Sequence, residues 1–224
     1  MSRENTNHPT KQVNPEIIEY IETVILPKYS GLGGHTDGHI RQVIDRSLKF
    51  YQQAPELNIN MVYIIAAYHD LGRLVDNGTH NIESAKMLRA DEFIKNHFSA
   101  DEINTMAEAV EDHRASLGRE PRSLYGKLVS SADRNTDINV MLSRIYDYNK
   151  HIHPKMSELE VIEDARVHLR AKYAPDGYAA STMYFDDPNF AKMLVEVEEI
   201  TRTPEIFAKI MQEHNLKRKK LHHN

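Results

Sequence analysis

MVYIIAAYHDLG, residues 61–72, is apolar from Met61 through Tyr68 and then passes directly into His69-Asp70. Asn58 or Asn60 offers a cap at its start and Gly72 a C-cap at its end, so the stretch reads as one helix. A helix that is apolar all round has no face for water and belongs at the centre of a core. Burying an ionised carboxylate and an imidazole at the end of such a helix is costly unless each has a strong partner. A metal ion is such a partner, since it takes an imidazole nitrogen and a carboxylate oxygen together. Taken alone, the dipeptide reads equally as a His–Asp hydrogen bond at a helix end, and that is the more common case.

Outward from this centre the pattern is helical, with no convincing strand alternation. Pro15 opens a helix bearing Ile17, Ile18, Ile21, Val24 and Ile25, and Pro27 helps end it. After a turn over residues 30–38, a helix from Thr36 or Asp37 buries Ile40, Val43, Ile44, Leu48 and Tyr51. A helix is expected over His80 to His97. Ser99-Ala100-Asp101-Glu102 is a capping box for a helix with Ile103, Met106, Ala107 and Val110 on one face. Ser123 caps a helix with Tyr125, Leu128, Val129 and Ala132. Further helices carry Ile138 to Ile145, Ser157 to Tyr173, Phe190 to Ile200 and Ile206 to Met211, and residues 174–188 read as a loop. The stripes of the last two helices either close the core or serve a homodimer. The expectation is an all-α protein, a single helical domain over 15–215 with about nine or ten helices around the central apolar one. A polar segment, 1–14, precedes it and a basic tail, 216–224, follows.

Composition narrows the chemistry. The 224 residues include no cysteine, which removes disulfides, thiolate metal sites and thiol nucleophiles together. Lysine and arginine total 28 against 33 aspartates and glutamates, for a net charge of -5. That balance gives no support for a nucleic-acid polymer or a membrane as partner. The N-terminus is polar and unlike a signal peptide, so a cytoplasmic location is expected.

Most of the 13 histidines show no convergent pattern, but two besides His69 lie on or beside buried faces. His39 immediately precedes Ile40 and borders the Val43–Ile44 stripe. His113 continues the 103–106–107–110 stripe, whereas the helix that His80 opens has only a weak stripe. Asp133 follows Ala132 at the edge of another buried face. A lone inward histidine is usually a satisfied core residue; several converging from separate helices are hard to accommodate without a metal.

The order His39 … His69-Asp70 … Asp133 resembles the H…HD…D signature of the HD superfamily of metal-dependent phosphohydrolases. The flanking text agrees, in His39-Ile40-Arg41-Gln42-Val43, His69-Asp70-Leu71-Gly72-Arg73 and Ser131-Ala132-Asp133-Arg134. The resemblance covers roughly residues 35–140. It implies one ion on His39, His69, Asp70 and Asp133 and, in two-metal members, a second on Asp70, His80 and His113, with Asp70 and Asp133 as catalytic carboxylates. It also implies hydrolysis of a small phosphorylated metabolite, a nucleotide above all, by water activated on Mn, Fe, Co, Ni, Zn or Mg. Arg73, Arg114 and Arg134 adjoin proposed ligands and are the candidates to hold phosphate. The longer HD-x-x-E-D arrangement of alarmone hydrolases and the Gly-Tyr-Pro motif of the cyclic dinucleotide branch are missing. Two other readings keep the fold: a di-iron oxygenase on the same ligands, and a non-catalytic metal- or nucleotide-binding module.

Overall fold

The computed structural model describes residues 12–30 and 37–221. Most of the N-terminal segment, the turn before His39 with His35 and Thr36, and residues 222–224 lie outside them. Among the described residues there are eleven α-helices and no strand, one or two helices more than expected. None is long and apolar enough to cross a membrane. The chain divides into two compact units, Met1–His113 with Pro121–Ala132, and Arg114–Glu120 with Asp133–Asn224. The segment with the motif, 35–140, runs across this division.

In the first unit α1 (Pro15–Tyr20) starts with proline at N1 and Asn14 as its cap, and it continues through a π turn and a 3-10 turn to Tyr29. Then follow α2 (Asp37–Tyr51), α3 (Ile59–Tyr68), a 3-10 turn over Leu71–Leu74, α4 (His80–Ala90), α5 (Glu92–His97), α6 (Ala100–Glu111) and α7 (Leu124–Ala132). The helix read from residues 61–68 is α3, capped by Asn58, with every residue from Met61 to Tyr68 buried. It packs against α2, α6 and α7. Burial of each large aliphatic side chain here stabilises the fold by about 2 kcal/mol before entropy is counted.

Two expectations need correction in this unit. The helix expected over residues 80–97 is broken at Asp91, which caps α5 by accepting from the N–H groups of Phe93 and Ile94. The other oxygen of Asp91 accepts from Tyr20 at 2.6 Å and Tyr68 at 2.7 Å. One carboxylate thus ends α4, starts α5 and holds the end of α3. Gly72 is also not a left-handed C-cap, since only Gly118 among the described residues has positive φ. α3 ends one turn earlier, and two of its last carbonyls are satisfied by side chains. Tyr29 donates to Ala67 O at 2.8 Å, and His69 Nδ1 donates to Ala66 O at 2.8 Å.

The second unit contains α8 (Ile138–Ile152), α9 (Glu158–Tyr173), α10 (Pro188–Ile200) and α11 (Pro204–Leu221), capped by Asp137, Ser157 and Asp187 where caps are resolved. Phe190, Met193, Val197, Phe207 and Met211 join Leu142, Ile145, Ile162 and Leu169 in one cluster, so the last two helices close a core of their own. The loop before α10 packs on this unit as well, with Ala179 and Phe185 buried. His168 and His214 are held below the usual imidazole value by burial, then by Lys172 for the first and by Arg218 and Lys217 for the second. A histidine depressed in the fold takes up its proton more readily unfolded, so stability is lost as pH falls below about 6.5. A double variant, His168→Gln with His214→Gln, is expected to lose less melting temperature between neutral and mildly acid pH than the parent. An equal loss would remove these two groups from the acid response.

Candidate metal centre

Five side chains from four places in the first unit meet at Asp70. His39 sits on α2, His69 and Asp70 directly follow α3, His80 opens α4, and His113 stands just past α6. His69, Asp70, His80 and His113 are each at most 3% exposed. His69 Nε2 lies 3.6 Å and His39 Nε2 3.9 Å from Asp70 Oδ2. On the other oxygen, His80 Nε2 lies 3.2 Å and His113 Nε2 3.6 Å from Oδ1. The ligand atoms therefore fall into two groups, His39/His69/Asp70 and Asp70/His80/His113.

The hydrogen bonds set the chemistry of these nitrogens. His69, His80 and His113 each place Nδ1 at 2.7–2.8 Å from a backbone carbonyl, of Ala66, Asn77 and Val110 respectively. A carbonyl only accepts, so each Nδ1 carries the proton and each Nε2 presents a lone pair. Those lone pairs point at an anionic carboxylate and at one another, with His80 Nε2 and His113 Nε2 only 3.2 Å apart. Electron pairs gathered in this way repel unless a cation or proton lies among them. A buried carboxylate with Nε2 donors held by carbonyl-anchored rings is a donor set that fits a divalent cation. Burial first, and then the neighbouring His113, push His80 down to about 4, so it stays neutral and able to ligate.

The remaining residues read from the sequence are placed as follows. Arg73 reaches the centre, with Nε 2.9 Å from Asp70 Oδ1. Asp133 and Arg134 follow the end of α7, where Arg46 of α2 donates to Ala132 O at 2.7 Å. Asp133 is half-buried, opens a stretch of the second unit, and is in neither three-residue group among the described residues. Arg134 is buried and donates to Thr182 Oγ1 at 2.8 Å. Arg114, next after His113, is half-buried in the second unit.

Sequence reasoning passed over the residues that hold His80 and His113. Asn77 gives its carbonyl to His80 and its side-chain oxygen to Arg73. Asn81 donates from Nδ2 to Glu111 O at 2.8 Å, tying the start of α4 to the end of α6. Asp112, fully buried beside His113, accepts from Arg122 through the backbone N–H at 2.8 Å, Nε at 3.0 Å and Nη2 at 2.8 Å. Arg122 also donates to Glu111 Oε2 at 2.6 Å, so it straps its loop to the end of α6. Arg122→Ala leaves a buried carboxylate with one partner fewer, and a loss of roughly 2–3 kcal/mol in denaturant-derived stability is expected. A loss under 0.5 kcal/mol would mean that water replaces the guanidinium at little cost.

With this geometry in view, the likeness to known proteins is specific to one segment. Residues 36–136 match the HD domain family. The matched span contains His39, His69-Asp70, His80, His113 and Asp133. The match covers just under half of the chain, and both His/His/Asp groups lie within it. Among solved structures, the chain is similar to a crystal structure of a predicted HD superfamily hydrolase from an uncultured Thermotogales bacterium. The identity is 17%, over 88% of this chain and 91% of that one, with a TM-score of 0.47. No curated protein matches.

Proposed function

We propose that the protein is a two-metal phosphohydrolase that cleaves a phosphate ester or anhydride of a small phosphorylated metabolite, a nucleotide in the first instance. The observation that carries this reading is the division of the Asp70 carboxylate, Oδ2 toward His39 and His69 and Oδ1 toward His80 and His113. A carboxylate used at both oxygens can bridge two cations, and a pair of cations suits in-line displacement at phosphorus. On this reading His39, His69 and Asp70 would hold one ion, and Asp70, His80 and His113 the other; the family likeness is the ground for adding Asp133 to the first set. The nitrogen and oxygen donors suit Mn, Fe, Co, Ni or Zn, with Mg admitted where carboxylates dominate.

A bound divalent ion supplies a water whose pKa falls from ~15.7 to about 7, and it offsets phosphoryl charge. The chain does the rest. Carbonyl-bound Nδ1 atoms fix the imidazoles in orientation and tautomer, so no proton must leave Nε2 before ligation. Burial of Asp70 and its partners keeps bulk water from screening the charges that hold the phosphoryl group. Arg73, one-fifth exposed, is the cation at the rim that can fork onto phosphoryl oxygens; Arg114 and Arg134 are assigned the same work only by their adjacency in sequence to His113 and Asp133. The nucleotide preference comes from the family likeness.

The test is elemental analysis of the purified protein together with phosphate release from a nucleotide panel, in air and without oxygen. Metal near two per chain with oxygen-independent release is the expected result. Two irons without release would move the reading to a di-iron oxygenase. Metal without any turnover would leave a binding module.

A further inference from the structure

Arg73 stands on the second ligand group. Its Nε is 2.9 Å from Asp70 Oδ1 and its Nη2 is 3.4 Å from His80 Nε2, while Nη1 donates to Asn77 Oδ1 at 3.2 Å. Asp70 Oδ1 and His80 Nε2 are two of the three ligand atoms of that group, and the third, His113 Nε2, is 3.2 Å from His80 Nε2. The other group uses Asp70 Oδ2, on which His39 and His69 converge. The contacts of Arg73 thus fall on one side of the bridging carboxylate.

A guanidinium and a metal ion make opposite use of the same atoms. Each lone pair engaged by an N–H is withheld from a cation, and two positive charges a few ångströms apart repel strongly in a buried site. The N–H contact falls on His80 Nε2 and the charge contact on Asp70 Oδ1, so both effects bear on the second group, and Asp70 Oδ2 lies farther from the guanidinium. The Nε–Oδ1 approach is a charge contact without the alignment of a hydrogen bond. The side chain, 19% exposed, also reaches solvent. It is therefore a partner that Asp70 and His80 can give up to something that binds arginine better, and a phosphoryl group with its planar pairs of oxygens is such a binder.

We propose that Arg73 is an internal competitor for the second metal group, and that an anionic phosphoryl ligand relieves the competition by drawing it away. This rests on the two-metal reading above. The two ions bind with unequal affinity, the one on His39 and His69 tightly and the one on His80 and His113 weakly. Phosphate strengthens the weaker ion, and by linkage the weaker ion strengthens phosphate by the same factor. The substrate thereby completes the metal set that acts on it.

The experiment is calorimetric titration of the full chain with Mn²⁺, with and without inorganic phosphate, and electron paramagnetic resonance to detect a coupled ion pair. For wild type, two classes of site are expected, the weaker one tightened by phosphate. Arg73→Gln is expected to tighten the weaker site by about tenfold or more without phosphate. It should leave the stronger site within twofold and shrink the phosphate effect. Added to His113→Asn, which removes one ligand of the second group, the same change should leave the remaining site unmoved. An unaltered ratio between the two sites in Arg73→Gln, with a melting temperature near wild type, would overturn the competition. So would tightening of the remaining site in the double variant. Absence of any Mn²⁺ binding by wild type would overturn the metal reading itself, a result the first two cannot mimic.

Discussion

Replacing Asp70 with asparagine is expected to empty both metal groups in one step and to lower turnover by at least about 10³-fold. No other side chain in the cluster belongs to both groups, so histidine variants should be milder: His39→Asn or His113→Asn weakens one group and leaves the other its three donors. Asparagine matches aspartate in shape, and its amide N–H can donate to an imidazole lone pair that the carboxylate could only oppose. Folding of the metal-free protein should therefore survive the change. The diagnostic is the response to a chelator. The wild type should lose melting temperature on metal removal, because a ligand at a hundred times its dissociation constant stabilises by about 2.7 kcal/mol. The variant should show no such response. Metal content in Asp70→Asn equal to wild type would sink the assignment of both groups.

Gly72→Ala carries the second large effect, on stability and on one metal group together. A Cβ at Gly72 would sit 2.2 Å from His80 O, 2.5 Å from Ser84 N and 2.8 Å from Glu83 Cβ. Two of those atoms are backbone of α4, so no side chain can swing aside to make room. The Gly72 N–H also donates to Ser84 Oγ at 2.7 Å, which fixes the same approach. Admitting a methyl group means moving the start of α4, and His80 is its first residue. The expected loss is about 3 kcal/mol or more. Metal should be lost preferentially from the group that includes His80. A stable variant with two ions would show that α4 can shift without carrying His80 off Asp70.

The core of the first unit was legible because burial on all sides leaves an unmistakable mark, eight apolar residues in a row ending at His69. The capping box at Ser99 was legible for a similar reason, since donor and acceptor lie three residues apart, and the structure has a second box of the same spacing at Ser157. His113 could be placed inside because it prolongs a helical stripe. Asp91 escaped notice because its partners are Tyr20 and Tyr68, 71 and 23 residues away, and nothing local distinguishes it from a surface aspartate in a helix. The need for glycine at residue 72 was misread for a related reason. It arises from a neighbouring helix rather than from its own torsion angles.

The chain has eleven tyrosines and no tryptophan. Two of those phenols, Tyr20 and Tyr68, are bound to the carboxylate of Asp91. Excited phenols that hand a proton toward a carboxylate emit weakly. The protein therefore carries a built-in optical probe, darkened at the back of the helix that presents His69 and Asp70. Its brightening would report the parting of α3 from the α4–α5 elbow without any label, and a Tyr20→Phe, Tyr68→Phe variant would set it apart from the nine other tyrosines.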